Sequence, residues 1–210
     1  MIHKKLLIVG HARHGKDTAA EMIQDQFGFS FESSSQTASR IFLFDKLKKK
    51  YGYKTPEECF EDRGKHRTEW YNEIYAYNKT DRARLAKDII ANADIYVGMR
   101  DTDEINECRK QGVFDMVIGV FDPRKDLEPS ASFNINLWEV SDIIISNAIG
   151  LTELRNKIKL LEPLLFKKQA MEHKPFEVIH GGLYNPKESN ACIISQIMID
   201  GTEKQIIPQL

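Results

Sequence analysis

Only three cysteines occur in the 210 residues, Cys59, Cys108 and Cys192, an odd number set far apart. That excludes a disulfide framework and gives no zinc-ligand spacing, so they read as ordinary thiols of a reducing compartment. Net charge is equally scarce. Against 30 Lys and Arg stand 31 Asp and Glu, and the formal charge of −1 leaves no global basic field that would point to nucleic acid. Long apolar runs are missing too. The first run, Leu6 to Val9, gives way at once to a glycine loop, which suits neither a signal peptide nor a membrane span. The expected setting is the cytoplasm, with no membrane partner. The chain has no internal repeat or low-complexity segment, and its length fits one domain, or one domain plus an appendage, with a sizeable core.

What the chain does have is phosphate-binding loop spacing. Leu6 to Val9 suits a buried parallel strand, Ala19 to Ile23 continues as a helix, and between them lie Gly10, His11, Ala12, Arg13, His14, Gly15, Lys16, Asp17 and Thr18. Gly10, four residues, Gly15 and Lys16 match the P-loop, in which backbone N–H groups turn inward on phosphates while the lysine neutralises their outer oxygens. The following helix aims its positive end at the same anion. Two glycines and a lysine at that spacing arise by accident in roughly 5% of chains this long, and a preceding apolar strand lowers this to about 1% or less. One position departs from the usual pattern: the residue after the lysine, normally a Ser or Thr that ligates Mg²⁺, is Asp17.

Further along, Ser30 to Ser39 is rich in Ser and Thr and is expected to loop over the carboxyl edge of the sheet. Arg40 and an amphipathic run to Tyr51 follow, with Lys46, Lys48, Lys49 and Lys50 forming either a solvated face or a strip that meets a polyanion. Thr55-Pro56-Glu57-Glu58 has the form of a helix start. The helix predicted from there carries Arg63, Arg67 and Trp70 or Tyr71 on one face, spaced to clamp a phosphate and stack on a base. The alternative is surface arginines paired with neighbouring acids and Trp70 in the core; His66 reads as structural. Asp81 to Ala93 is expected to be helical, Ile95 to Met99 a central strand ending at Arg100, and Asp103 to Gln111 a helix stopped by Gly112. Val117 to Phe121 is another strand, and the loop after it offers Arg124 and Lys125 to a phosphate donor. Ile143 to Ile145 and a Thr152-capped helix to Leu161 complete an alternation that implies an α/β fold, a doubly wound parallel sheet with helices on both faces. From Pro163 the pattern turns to short strands and turns, read as a small β-rich C-terminal extension over residues 163–210.

Three blocks carry a family likeness: GHARHGKDT at Gly10 to Thr18, VGMRDTDE at Val97 to Glu104, and SDIIISNAIGLTEL at Ser141 to Leu154. In that order they resemble phage deoxynucleoside monophosphate kinases, and the last also resembles the end of dephospho-coenzyme A kinases. The likeness covers about residues 1–162, weakly between Ser30 and Ala93. It implies a P-loop kinase fold, an acceptor region at about 30–93 and a lid at about 122–138, with ATP and Mg²⁺ as cofactors. It also implies that Arg100 touches the transferred or acceptor phosphate and that the loop from Asn147 to Gly150 lies against adenine. Phosphoryl transfer needs alignment and charge neutralisation above all, so Lys16 and Arg100 are expected on the transferring group and Arg124 as a lid cation. No Asp closes the Ile95 to Met99 strand, which leaves Asp17 and Asp101 as the metal candidates.

The acceptor is expected to be a deoxynucleoside monophosphate, its 5′-phosphate held by Arg40, Arg63 and Arg67. A second group of phage enzymes with a similar loop phosphorylates 5-hydroxymethyluracil within DNA. For that acceptor Asp17 would serve as general base, and Lys46 to Lys50 with Trp70 would hold the DNA. A small-metabolite kinase and a non-catalytic nucleotide-binding module are the remaining alternatives.

Overall fold

Leu6, Leu7, Ile8 and Val9 are all fully buried, and their side chains alternate between two separate cores. Leu7 and Val9 join one cluster with Tyr96 and Val117, whereas Leu6 and Ile8 join the other with Ile95, Val97, Met116 and Ile118. A strand apolar on both faces must be covered on both faces, and this one lies at the centre of the sheet. The computed structural model describes residues 2–129 and 133–167.

In chain order the elements are β1 (Ile2–His3), β2 (Leu6–Val9), α1 (Lys16–Phe27), β3 (Phe31–Ser33) and α2 (Ser34–Ala38). A π-helical turn, Ser39–Leu43, leads to α3 (Phe44–Tyr51) and α4 (Pro56–Asp62), and a 3₁₀ turn, Arg63–Lys65, to α5 (Arg67–Tyr77). Then follow α6 (Arg84–Ile90), β4 (Ile95–Val97), α7 (Thr102–Lys110), β5 (Met116–Phe121) and α8 (Leu137–Val140). The last are β6 (Ile143–Ser146), α9 (Leu151–Lys159), α10 (Glu162–Leu165) and β7 (Phe166–Lys167).

The main sheet is parallel, in the order β3-β4-β2-β5-β6, with Leu7 opposite Tyr96 on one side and Val117 on the other. From β2 the chain crosses first to the edge strand β3, returns to β4 beside β2, and then crosses to the other side through β5 and β6. The reversal places a ligand crevice at the carboxyl end of β2, where the glycine loop begins. Helix α1, through Ala19, Ala20 and Ile23, packs with Leu154 and Ile158 of α9 on one face. Helices α3 to α8 cover the other. This is the doubly wound parallel sheet with helices on both faces expected from the sequence.

Several boundaries differ from expectation. Phe31–Ser33 is an edge strand rather than part of a loop, and α2 follows it directly, with the Ser33 side chain accepting from the Gln36 N–H. The helix begun by Thr55, whose hydroxyl accepts the Glu58 N–H at 3.2 Å, ends at Asp62, so Arg63 and Arg67 lie on different elements. Helix α9 is capped by Gly150 at φ 131°, not by Thr152. Residues 162–167 belong to the domain: Leu165 is fully buried, and β7 pairs antiparallel with β1. The expected β-rich strands after these lie outside the described residues, as does Cys192. Cys59 and Cys108 are free and buried, and burial pushes the Cys108 thiol up to about 12, which makes it inert at neutral pH.

Candidate active site

The loop after β2 is shaped by what its glycines allow. A Cβ on Gly10 would come within 2.5 Å of the Val120 carbonyl oxygen of the neighbouring strand. Gly15, at φ +98°, is the residue before α1, and a Cβ there would meet Asn147 Nδ2 at 2.6 Å. Arg13 also takes a positive φ, 65°, within a tight turn in which the His14 N–H donates to the His11 carbonyl at 3.3 Å. Asn147, at the end of β6, supports the loop from beneath by donating to the His14 carbonyl at 3.3 Å. Lys16 Nζ pairs with Asp17 Oδ2 at 2.7 Å; the Lys16 side chain is largely covered while that of Asp17 is 59% exposed. Thr18 is half-buried on the first turn of α1.

Both loop histidines face away from the crevice. His14 is fully buried; its Nδ1 accepts the Asp122 N–H at 3.1 Å, which leaves Nε2 to donate to the Asp126 carbonyl at 3.2 Å. His11 packs against Phe133 with the rings tilted by 40° and their centroids 4.1 Å apart, and its Nδ1 accepts the Glu128 N–H at 3.1 Å. Burial and the neighbouring His14 push the His11 imidazole down, so it stays neutral at pH 7. The His11 and His14 side chains are therefore both committed to contacts within the protein. Their side chains stitch the P-loop to the segment Asp122 to Glu128, the described first part of the expected lid.

That segment holds two ion pairs. Arg124 makes a bidentate pair with the buried Asp122, Nε to Oδ1 and Nη2 to Oδ2 each at 2.8 Å, and Nη2 also donates to the Asn147 carbonyl at 2.9 Å. Arg124 is thus tied to the β6 loop expected near adenine. Glu128 is the residue that sequence reasoning missed. Its Oε2 accepts the Ala12 N–H at 2.6 Å and its Oε1 pairs with Arg100 Nη1 at 2.6 Å, with the side chain 13% exposed. Burial pushes this carboxyl up, but the Arg100 guanidinium and the Ala12 N–H outweigh it and hold the group below the usual carboxylate range. In the sequence it is one acid in a mixed-charge loop, and no local signal distinguishes it.

Arg63, on the 3₁₀ turn, and Arg67, at the start of α5, lie close to the loop: Arg67 lines the cleft beside it, and Arg63 interacts electrostatically with Asp17. The Arg63 guanidinium stacks over Phe60 with its central carbon 3.7 Å from the ring centroid. Burial first, then Arg67, push Arg63 down from its ordinary range, while Asp17 works the other way, so all three groups share one electrostatic environment. Arg13, Arg67, Arg124 and Lys125 line a single open cleft with Ala12 and Glu128. A second pocket lies between α5 and the end of β4. Tyr71, Ile74 and Tyr75 line it together with Asn78, Arg82, Glu104 and Arg100. Tyr71 and Tyr75, one turn apart, are each 55% exposed.

Other expected site residues sit elsewhere. Trp70 is buried in the core at 4% exposure, so the aromatic wall of this region is Tyr71 and Tyr75, the neighbouring face of the same helix. Asp101 is a helix cap: Oδ1 accepts the Glu104 N–H at 3.0 Å and Oδ2 accepts Asn134 Nδ2 at 3.0 Å, which leaves Asp17 as the metal candidate of the pair. Arg40 pairs with Glu32 at 2.5 Å and does not line either cavity. Lys46, Lys48 and Lys50 are each matched by an acid, Glu73, Asp45 and Glu69. His66 is structural as expected, stacked on Tyr51 at 3.9 Å and bonded to Asp62 at 3.1 Å. Among the described residues no cluster of three or more His, Cys, Asp or Glu could hold a metal ion, and no helix is long and apolar enough to cross a membrane.

No protein-family model matches the chain, and no curated protein matches it. Among solved structures, a gluconokinase from Sinorhizobium meliloti 1021 is similar over 78% of this chain and 96% of its own, at 14% identity and a TM-score of 0.41.

Proposed function

We propose that the chain is an ATP-dependent phosphotransferase that moves the γ-phosphoryl group to a deoxynucleotide, with a deoxynucleoside monophosphate as acceptor. The observation that carries this reading is the position of Arg100. It lines the pocket beside α5, and its guanidinium pairs with a residue of the P-loop cleft, so it stands where donor and acceptor sites meet.

In this reading the backbone from Ala12 to Thr18 cradles the β- and γ-phosphates, Lys16 leaves Asp17 to neutralise them, and Asp17 reaches the Mg²⁺ that accompanies ATP. Arg124, tied to Asn147, serves the nucleotide side of the cleft. Arg63 and Arg67 bring positive charge from the acceptor side, and Tyr71 and Tyr75 offer their faces to the acceptor base. These are the groups that an in-line transfer between two anionic reactants requires. Three of the four lysines of the strip on α3, Lys46, Lys48 and Lys50, are paired with acids, which weighs toward a free nucleotide and against an acceptor embedded in DNA.

The test is transfer from γ-labelled ATP, offered in parallel to the deoxynucleoside monophosphates and to DNA containing 5-hydroxymethyluracil. Label in a nucleoside diphosphate supports the proposal; label fixed only in DNA replaces the acceptor; no transfer to either overturns it. Lys16→Ala should lower the rate by at least about 100-fold, and a variant that keeps its rate would remove the P-loop from the chemistry.

A further inference from the structure

One N–H of the phosphate loop already has an anion. The Glu128 carboxylate spans two donors, the Ala12 N–H through Oε2 and Arg100 Nη1 through Oε1, each at 2.6 Å. A backbone N–H beside a guanidinium is a pair that accepts carboxylate and phosphoryl oxygens alike, because both anions present two oxygens at similar spacing. Nor is the carboxylate needed to anchor its own segment. The Glu128 N–H is held separately by His11 Nδ1 at 3.1 Å, and two residues earlier the Asp126 carbonyl is held by His14. The side chain can therefore exchange its partners while the backbone stays in place. Arg13, Arg67, Arg124 and Lys125 line the same cleft, so an incoming anion meets positive charge whether or not Glu128 is in position.

We propose that the Ala12 N–H and the Arg100 guanidinium form the seat of the transferred phosphoryl group, and that Glu128 fills that seat in the nucleotide-free protein as an internal stand-in. The γ-phosphoryl of an arriving triphosphate displaces the carboxylate, which swings aside without a change in covalent bonding. A diphosphate ends short of the seat and leaves Glu128 where it is. The device holds Arg100 at the reaction point between turnovers and weakens triphosphate binding relative to diphosphate binding. This inference rests on the phosphotransferase reading above.

The experiment is calorimetric titration of wild type, Glu128→Gln and Glu128→Ala with the non-hydrolysable ATP analogue AMP-PNP and with ADP, both with Mg²⁺. Loss of a charge-assisted contact that competes with the ligand should tighten AMP-PNP binding roughly 10-fold in Glu128→Ala and leave ADP within about twofold. Glu128→Gln, which keeps an acceptor for the Ala12 N–H but loses the charge on Arg100, should tighten AMP-PNP to a smaller degree, and it decides the question if the alanine variant fails to fold. Unchanged or weaker AMP-PNP binding in the folded variants overturns the stand-in while leaving the phosphotransferase reading intact. Equal tightening of both nucleotides overturns the assignment of the seat to the γ-group. A wild type that binds neither nucleotide overturns the phosphotransferase reading and the stand-in with it.

Discussion

Replacing Asp94 should show how strongly one carboxylate ties together the amino-terminal edge of the sheet. It stands just before β4, and its Oδ2 accepts from His3 Nδ1 at 3.0 Å and from the Ser30 N–H and hydroxyl at 3.1 Å each; its Oδ1 accepts from Lys5 Nζ at 3.1 Å. Burial pushes the carboxyl up, but the bonds from His3, Ser30 and Lys5 outweigh it and hold the group at about 2. The folded value lies below the unfolded one, so the charged form stabilises the fold above the unfolded pKa, and this stability is lost as pH falls through the folded value. With the ordinary unfolded value of about 3.9, the contribution is roughly 2–3 kcal/mol at pH 7 and about 1 kcal/mol at pH 3. Asp94→Asn should therefore lower the urea-unfolding free energy by about 2 kcal/mol at pH 7, and the melting temperature by about 4–8 °C. The gap between variant and wild type should narrow as the pH is lowered from 5 to 3. Equal stability at pH 7, or a gap that stays constant over that range, would refute the argument.

Gly15→Ala combines a strained φ of +98° with a Cβ 2.6 Å from Asn147 Nδ2, so the alanine should displace Asn147 from the His14 carbonyl and abolish ATP binding by titration, with the far-ultraviolet circular dichroism unchanged. Trp70→Ala and Tyr71→Ala should separate core from site. The first should cost about 3–5 kcal/mol of stability in urea unfolding, and the second should leave stability nearly unchanged and raise the KM for the nucleotide acceptor.

The fold was legible wherever burial enforced it. Leu6 to Val9, Ile95 to Val97 and Met116 to Phe121 are apolar on both faces, and such runs have no stable place except the middle of a parallel sheet. Phe31–Ser33 escaped notice because an edge strand is only half-buried and two of its three residues are polar. The break between α4 and α5 was hidden because the i, i+4 spacing of Arg63 and Arg67 fits a continuous helix, whereas Gly64 and a 3₁₀ turn separate them. Periodicity also could not choose between Trp70 and Tyr71, which differ by one residue and by 100° around the helix. The turn from β2 to α1 was legible because Gly10 and Gly15 stand where a Cβ would meet Val120 or Asn147. Glu128 was not, because its role depends on the Ala12 N–H and Arg100, both far away in sequence and brought together only by the return of the chain after β5.

The ribbon of β1 and β7 has a consequence for how this domain can be handled. Ile2 lies opposite Lys167 and His3 opposite Phe166, with His3 stacked on Phe29 at 4.0 Å. β1 and β7, the first and last described strands, are thus side by side, before the start of β2 and so at the end of the sheet remote from the phosphate loop. Among the described residues the path of the chain closes into a ring there, and a change that loosens this ribbon, such as His3→Ala, should leave the phosphate loop at the other end of the sheet in place.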